Sequence, residues 1–216
     1  MIFNPIRIYD ISPEISISPG TFTEVVEEQK MLGNIVRSDM KTISNTEYIC
    51  KRAYARMWIL RRLKALGCPI PELLDVLRQQ ILSICEGNVA YWGPMITKEE
   101  SNMLERCLKT GLHIIYQEKY ITFEQILKLT AMKSLKTRRV ELITSFSKKS
   151  FMHEKFKGWF CESEVRTTGV KTRAKPIPRL KPVPFRTQRY KKSSIPLMTK
   201  LLSWHPPLTY IGLDLA

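Results

Sequence analysis

The stretch EVVEEQKMLGNIVRSDMKTISNTEYICKRAYARMWILRRLKALG, residues 24–67, decides the fold of this chain of 216 residues. Its first half contains a short apolar run, interrupted by Gly33, that ends at the Ser38-Asp39 turn signal and predicts a buried strand. Apolar residues then recur at helical spacing until Gly67, and glycine commonly ends a helix. The stretch therefore predicts a strand, a turn and one long helix.

The predicted helix is apolar on one side and strongly basic on the other. Ser44 and Glu47 predict a capping box at its start. Glu47 is also the only acid between Met40 and Pro71, and Trp58 adds a stacking surface among the arginines. A solvated charged face is the alternative, but these two features favour contact with a phosphate backbone. The candidate contacts on this helix are Lys51, Arg52, Arg56, Arg61, Arg62 and Lys64.

The formal net charge of +15 predicts a polyanionic partner. Residues 1–44 hold 4 basic and 6 acidic side chains, residues 45–160 hold 20 and 11, and residues 161–216 hold 11 and 3. We interpret these three segments as an N-terminal β segment, a basic helical domain and a basic, proline-rich tail. This distribution suits a protein whose N-terminal part packs on a partner while the later part faces phosphate.

Four more helices follow from the apolar periodicity, beginning near Pro71, Thr97, Thr122 and Leu135. Thr97 and Glu100 give the clearest capping box, and the same pattern repeats after Thr122. The predicted fold is therefore mainly α, with a small N-terminal β hairpin, a bundle of about five helices and a disordered basic tail.

The tail is the basis of a separate prediction. Residues 165–196 contain ten Lys or Arg, five Pro and no acid. Such a segment buries too little apolar surface to offset its ordering entropy, so we expect it to be extended or disordered when free. A basic arm of this kind serves as a nucleic-acid tether. An unselected tail with accidental basicity is the alternative, and the sequence leaves both open.

Other residue types exclude several classes of protein. The cysteines are odd in number and widely spaced, so they support neither a metal site nor a disulfide framework, and they suit a reducing intracellular compartment, nucleus or cytoplasm. No apolar run is long enough for a bilayer, and the N-terminus lacks the pattern of a secretion signal. The cysteines are Cys50, Cys68, Cys85, Cys107 and Cys161.

From about Asn4 to Leu202 the chain resembles the region that follows the catalytic palm in reverse transcriptases of non-LTR, LINE-type retrotransposons. The matching phrases are KMLGNIV, RSDMKTISNTEYICKRAYARMWILRRLKALG, YWGPMITKEESNMLERCLKTGLHIIY, EKYITFEQILKL and LKTRRVELITSFSKKSFMHEKF. Their order and spacing carry the resemblance together. The phrases YWGPMI and GNVA depart from the tryptophan-centred phrase that is usual in the family.

The resemblance implies roles for particular residues. Met31, Leu32 and Gly33 would belong to a primer-grip-like strand, and the long basic helix would be a thumb helix that runs along a template–primer duplex. The six basic residues of that helix become candidate phosphate contacts, joined by Arg138 and Arg139 on the last predicted helix. Recognition of an A-like hybrid through its backbone would be largely independent of sequence.

Catalysis is not expected from this chain. Polymerisation needs carboxylates that hold two divalent ions, and the family supplies them from the palm. The chain has four aspartates, Asp10, Asp39, Asp75 and Asp214, none of which are adjacent. We therefore predict no catalytic residue, no metal site and no cofactor.

The resulting expectation is a non-catalytic fragment of a retrotransposon reverse transcriptase, a thumb-like module that binds RNA–DNA hybrid, RNA or DNA without sequence specificity. A palm and fingers domain encoded upstream is the expected protein partner. Two alternatives stay open: a helical interaction module that docks on a palm or another partner, and a retroelement remnant without function.

Overall fold

The computed structural model describes residues 14–18, 21–24, 26–117, 122–160 and 180–203. The described chain is mainly α, as predicted, and it divides into two compact units. The first unit runs to Gly87 and resumes from Ile96 to Met132, whereas the second comprises Asn88 to Met95 and the residues from Lys133 onward. Asn88 to Met95 thus lie between two stretches of the first unit in sequence but belong to the second. The predicted segments 1–44, 45–160 and 161–216 stay a division by charge and composition.

Two antiparallel hairpins precede the helices. They consist of β1 (Glu14–Ser18) with β2 (Thr21–Glu24), and of β3 (Glu28–Met31) with β4 (Asn34–Arg37). The two residues between β3 and β4 have φ values of 48° at Leu32 and 82° at Gly33, and a turn with both central φ positive matches the twist of paired strands. The single buried strand predicted here is therefore wrong. The apolar run is two short strands, and β3 is exposed.

Helices make up most of the rest. They are α1 (Ile43–Ala65), α2 (Ile70–Val76), a π-helical turn (Leu77–Leu82), α3 (Ser83–Glu86), α4 (Val89–Trp92), α5 (Lys98–Tyr116), α6 (Phe123–Leu129), α7 (Leu135–Met152), α8 (Glu154–Lys157), α9 (Gln188–Lys191) and α10 (Ser194–Ser203). The helix predicted to begin near Pro71 begins at Ile70, and the helical run that it opens ends at Glu86, two residues before the left-handed φ of 52° at Asn88.

The end of α1 is as predicted. The N–H of Gly67 donates to the Lys64 carbonyl at 3.0 Å, and the N–H of Cys68 donates to the Leu63 carbonyl at 3.1 Å. These are the two bonds of a Schellman motif, which needs the positive φ of 80° that Gly67 adopts. The last turn of α1 is thus closed by its own backbone.

The start of α1 differs from the predicted capping box, which is wrong. The helix begins at Ile43, so Ser44 lies inside its first turn and donates to Glu28 at 2.9 Å. Thr42, at the N-cap, makes no cap bond with its side chain and instead donates to the buried Glu100 at 2.7 Å. Tertiary acceptors have replaced the local partner that the sequence pattern suggested.

In the first unit, α1 packs on α5 and on the α2–α3 run. Gly111 lets α5 come close to the π-helical turn, because a Cβ atom there would lie 2.5 Å from Leu77 Cδ1. The predicted capping box of Thr97 and Glu100 is confirmed at the start of α5, and the Thr122 side chain caps α6 as expected. The residues of α1 in the core are Ile49, Cys50, Ala53, Met57 and Leu60.

In the second unit, α10 packs on α7 and α4. The Ser194 hydroxyl donates to the Ala90 carbonyl at 2.7 Å, and the apolar face of α10 is buried. The predicted disorder of the tail is therefore wrong for residues 180–203, because this part carries enough apolar surface to join a core. Residues 161–179 and 204–216 of the predicted tail lie outside the described residues.

Candidate nucleic-acid interface

An exposed stripe runs along the outside of α1. Lys51, Ala55, Trp58 and Arg62 are spaced i, i+4, i+7 and i+11, so they share one face of a helix with 3.6 residues per turn. The cations at its two ends are separated along the helix axis by about 16 Å. All four residues are exposed, and the Trp58 side chain is 60% exposed. The opposite face of α1 is buried, which fixes the direction in which the stripe points.

A second cationic group lies near the start of α1. The Arg52 guanidinium lies 5.4 Å from the centroid of the Tyr48 ring, and Lys30 Nζ lies 5.0 Å from it. A hydrogen bond from Lys30 is the main cause of a lowered Tyr48 pKa. Sequence reasoning missed Lys30, because its place depends on register. It pairs with Ile35, whose N–H donates to the buried Asn45 side chain of α1 at 2.9 Å.

The junction between the hairpin and α1 is held by Arg37. Its Nε donates to Asp39 at 3.0 Å, its Nη1 bonds with Glu28, and the same Nη1 lies 3.3 Å from the Ser44 hydroxyl. The Arg37 hydrogen bond lowers the pKa of Asp39 to about 2. This ion-pair group seats the hairpin, and with it Lys30, beside the first turn of α1.

Besides Arg52, three predicted contacts of α1 lie outside the stripe. Arg56 lies about 120° and Lys64 about 160° around the helix from Arg62. Arg56 Nη1 donates to the Gln80 carbonyl of the π-helical turn at 3.2 Å, so this guanidinium already bonds within the chain. Lys64 is half-buried, and Arg61 is exposed about 100° from Arg62 on the flank of the stripe.

The two arginines of α7 differ from expectation. Arg139 is only 2% exposed, so its prediction as a phosphate contact is wrong. It follows Leu135 and precedes Ile143 at intervals of four residues, which places it on the buried face of α7. Arg138 is half-buried, and its Nη1 lies 3.8 Å from Glu141. Both arginines belong to the second unit, whereas α1 belongs to the first.

The primer-grip-like residues occupy the tip of the second hairpin rather than one strand. Met31 ends β3, while Leu32 and Gly33 form the turn. The Leu32 side chain is 93% exposed. The predicted strand through these three residues is corrected to a strand end and a turn, because two positive φ values in succession reverse the chain.

Three cysteines that are distant in sequence meet in the core of the first unit. Cys50 of α1 and Cys85 of α3 both hydrogen-bond with Cys107 of α5, and these bonds together with burial raise the pKa values of the Cys50 and Cys85 thiols. The raised pKa values keep the Cys50 and Cys85 thiols protonated, whereas the hydrogen bonds from these two thiols lower the pKa of Cys107, which accepts them. Their wide spacing in the sequence hid this convergence.

Two further observations on the structure concern metal sites and helices that could cross a membrane. Within residues 14–18, 21–24, 26–117, 122–160 and 180–203, no group of three or more His, Cys, Asp or Glu side chains has a geometry that could hold a metal ion. None of the helices that the structure describes has both the length and the apolar character needed to cross a bilayer.

Compared with models of protein families, with curated proteins and with solved structures, the chain gave no match. The resemblance to LINE-type reverse transcriptases therefore stays a prediction from sequence phrases.

Proposed function

We propose that this chain is a non-catalytic, thumb-like module that binds the backbone of a template–primer duplex without sequence specificity. The observation that carries the proposal is the exposed stripe of Lys51, Trp58 and Arg62 on a helix whose opposite face is fixed in a core. The module would act beside a palm and fingers domain, inside the cell. Its partner nucleic acid would be RNA–DNA hybrid, RNA or DNA.

The stripe suits a phosphate backbone for a physical reason. The backbone that carries these cations is closed by a Schellman motif and packed on α5, so little backbone entropy is lost when they meet a duplex. Each neutralised phosphate releases counterions, which supplies affinity that does not depend on the base sequence. Arg52 and Lys30, which both lie over the Tyr48 ring, extend the positive surface toward the hairpin.

The chain's carboxylates support the absence of a polymerase reaction. Asp39 is bonded to Arg37, and Asp75 forms an ion pair with Arg78 at 2.9 Å on a helix surface. Neither aspartate is next to another one in the sequence, so neither belongs to an adjacent pair of the kind that would hold the two ions of phosphoryl transfer. The catalytic carboxylates would have to come from the partner palm.

The test is a titration of a fluorescein-labelled RNA–DNA hybrid followed by anisotropy at several salt concentrations. We compare the unchanged chain with the triple variant Lys51→Ala, Arg52→Ala and Arg62→Ala. The matched control, Lys98→Ala with Arg106→Ala and Lys128→Ala, removes the same charge from exposed positions of α5 and α6. We expect only the first variant to reduce the slope of log affinity against log salt by about two to three. Equal losses in both variants would mean that net charge, not the stripe, binds the hybrid.

A second candidate function is favoured by the exposed apolar tip at Met31 and Leu32. Under this alternative the hairpin docks on a palm or another protein, and the basic face of α1 is only solvated. The same titration distinguishes the two functions, because the alternative predicts that the triple variant and the control variant bind the hybrid with the same affinity.

A further inference from the structure

Three rings stack one after another where α7 leads into α8. The ring centroids of His153 and Phe156 are 5.2 Å apart, and those of Phe156 and Trp159 are 4.7 Å apart. Neighbouring rings are tilted by 43° and 44° to each other, and the three residues are spaced by three along the chain. We call these three side chains the aromatic ladder.

The aromatic ladder is held in place by its own backbone. Nδ1 of His153 accepts a hydrogen bond from the Lys155 N–H at 3.2 Å and so caps α8. The Phe156 N–H donates to the His153 carbonyl, and the Trp159 N–H donates to the Phe156 carbonyl, both at 2.9 Å. Each ring of the aromatic ladder therefore starts from a backbone position that is fixed by the previous one.

A small core anchors the end of the aromatic ladder. Phe160, the next residue, is buried with Leu180 and Met198. Phe151 packs edge-on against Phe160, with 5.7 Å between the ring centroids. Phe151 and Phe160 supply the aromatic packing of this core, and none of the three ladder residues belongs to it. Trp159 stays 39% exposed.

The surroundings of the aromatic ladder are basic. Glu154 is the only acid between residues 142 and 161. None of the ion pairs found in the described parts of the chain involves the neighbouring lysines, which are all exposed. These lysines are Lys148, Lys149, Lys155 and Lys157.

We propose that the aromatic ladder is a base-stacking platform for single-stranded nucleic acid. The rings of His153 and Trp159 are exposed and that of Phe156 is half-buried. Accessible rings next to exposed lysines are the two parts of a non-specific single-strand site, in which bases stack on the rings and lysines meet the phosphates. A duplex hides the faces of its bases, so the platform selects unpaired strands. The proposal stands on a different unit from the α1 stripe and does not rest on the proposed duplex binding.

The test uses the full chain and a fluorescein-labelled oligouridylate of twelve nucleotides. In the variant Phe156→Leu with Trp159→Leu, leucine keeps apolar volume but cannot stack, so we expect a loss of affinity of at least about tenfold. The matched variant Phe156→Tyr with Trp159→Phe keeps the rings and should retain affinity. The quenching of tryptophan fluorescence by the oligouridylate should weaken in this matched variant, because Trp159 is gone.

Two further arms distinguish single-strand stacking from duplex binding and from membrane binding. The RNA–DNA hybrid should bind the leucine variant as it binds the unchanged chain, whereas the triple variant of α1 should lose the hybrid and keep the oligouridylate. Vesicles that contain phosphatidylserine test a membrane surface instead. Equal oligouridylate affinity in the leucine and ring-retaining variants would overturn the proposal. Loss of vesicle binding alone in the leucine variant would also overturn it.

Discussion

The helices α1 and α7 are both basic, but their arginines differ in burial. In α1, of 23 residues, the arginines are exposed. In α7, of 18 residues, Arg139 is buried to 2% exposure. The difference follows from the apolar period, because from Ile49 onward every buried position of α1 holds an apolar residue, whereas only Leu135 and Ile143 are apolar among the buried residues of α7. Polar residues then take core positions in α7, among them Ser147 and Ser150.

The largest effect should come from Arg139. Arg139→Ala removes a buried side chain and its packing, so we expect the free energy of unfolding to fall by about 2–4 kcal/mol. Arg62→Ala, on the exposed stripe, should change it by at most about 0.5 kcal/mol. Urea denaturation followed by circular dichroism measures both. Similar small changes in the two variants would contradict the burial of Arg139.

Arg139→Met provides the control for that measurement. Methionine keeps most of the apolar stem, which packs near Gly93, where a Cβ atom would lie 3.2 Å from Arg139 Cδ. If packing of the stem carries the effect, Arg139→Met should be less destabilising than Arg139→Ala. An equal loss in both would instead assign the effect to the guanidinium.

The next effect concerns how α1 is held at its start. The buried Glu100 of α5 accepts hydrogen bonds from Thr42 at 2.7 Å, from Thr46 at 3.3 Å and from the Thr97 N–H at 2.7 Å. Glu100→Ala leaves buried donors without their acceptor, so we expect a loss of about 2–3 kcal/mol in the free energy of unfolding.

Glu100→Gln is the conservative counterpart. Its amide oxygen still accepts one of these bonds, so it should cost less than Glu100→Ala in the same urea titration. Glu99→Ala, at the exposed neighbouring position, is the surface control and should be nearly neutral. A loss in Glu99→Ala as large as that in Glu100→Ala would argue against the buried network.

The ends of α1 and α5 show which features could be predicted from the sequence. The Thr97 cap and the Schellman end at Gly67 depend on residues within four or five positions, so local patterns found them. The capping box predicted at the start of α1 was wrong because Thr42 and Ser44 bond to Glu100 and Glu28, which are 58 and 16 residues away. The prediction of Arg139 as an exposed phosphate contact failed for the same reason, since the packing partners of α7 determine which of its positions are buried. The position of Lys30 beside Tyr48 depends on the hairpin register, so it could not be predicted from local patterns either.

The hairpin that precedes α1 allows a smaller test. Leu32 occupies the first central position of a turn that favours asparagine or aspartate, because its φ is 48°. Leu32→Asn should therefore stabilise the first unit by about 0.5–1 kcal/mol, since it relieves the strained φ and removes an exposed apolar side chain. Thermal unfolding measures the gain. Leu66→Asn, also at an exposed leucine but with a negative φ of −80°, is the control and should bring no such gain.

The smallest effect should be a pH dependence of stability at the junction of the hairpin with α1. The start of α7 has no such junction, because the Ser134 side chain caps it locally. The pKa of Asp39 is lowered from 3.8 to about 2, mainly by its hydrogen bond from Arg37. A lowered folded-state pKa contributes stability above pH 4 that is lost as the pH falls toward 2. Because the Asp39 side chain is 31% exposed, solvent limits the contribution to about 1 kcal/mol or less.

The measurement is the difference in unfolding free energy between the unchanged chain and Asp39→Asn at several pH values. This difference should be constant from pH 6 to pH 5, fall to roughly half near pH 3 and vanish below pH 2. Asp75→Asn removes the carboxylate of an exposed pair whose side chains are 61% and 45% accessible, and it serves as the control. A difference for Asp39→Asn that stays the same at pH 3 and pH 6 would show that its carboxylate is not held by Arg37. The hairpin would then be seated on α1 by the Asn45 bond instead.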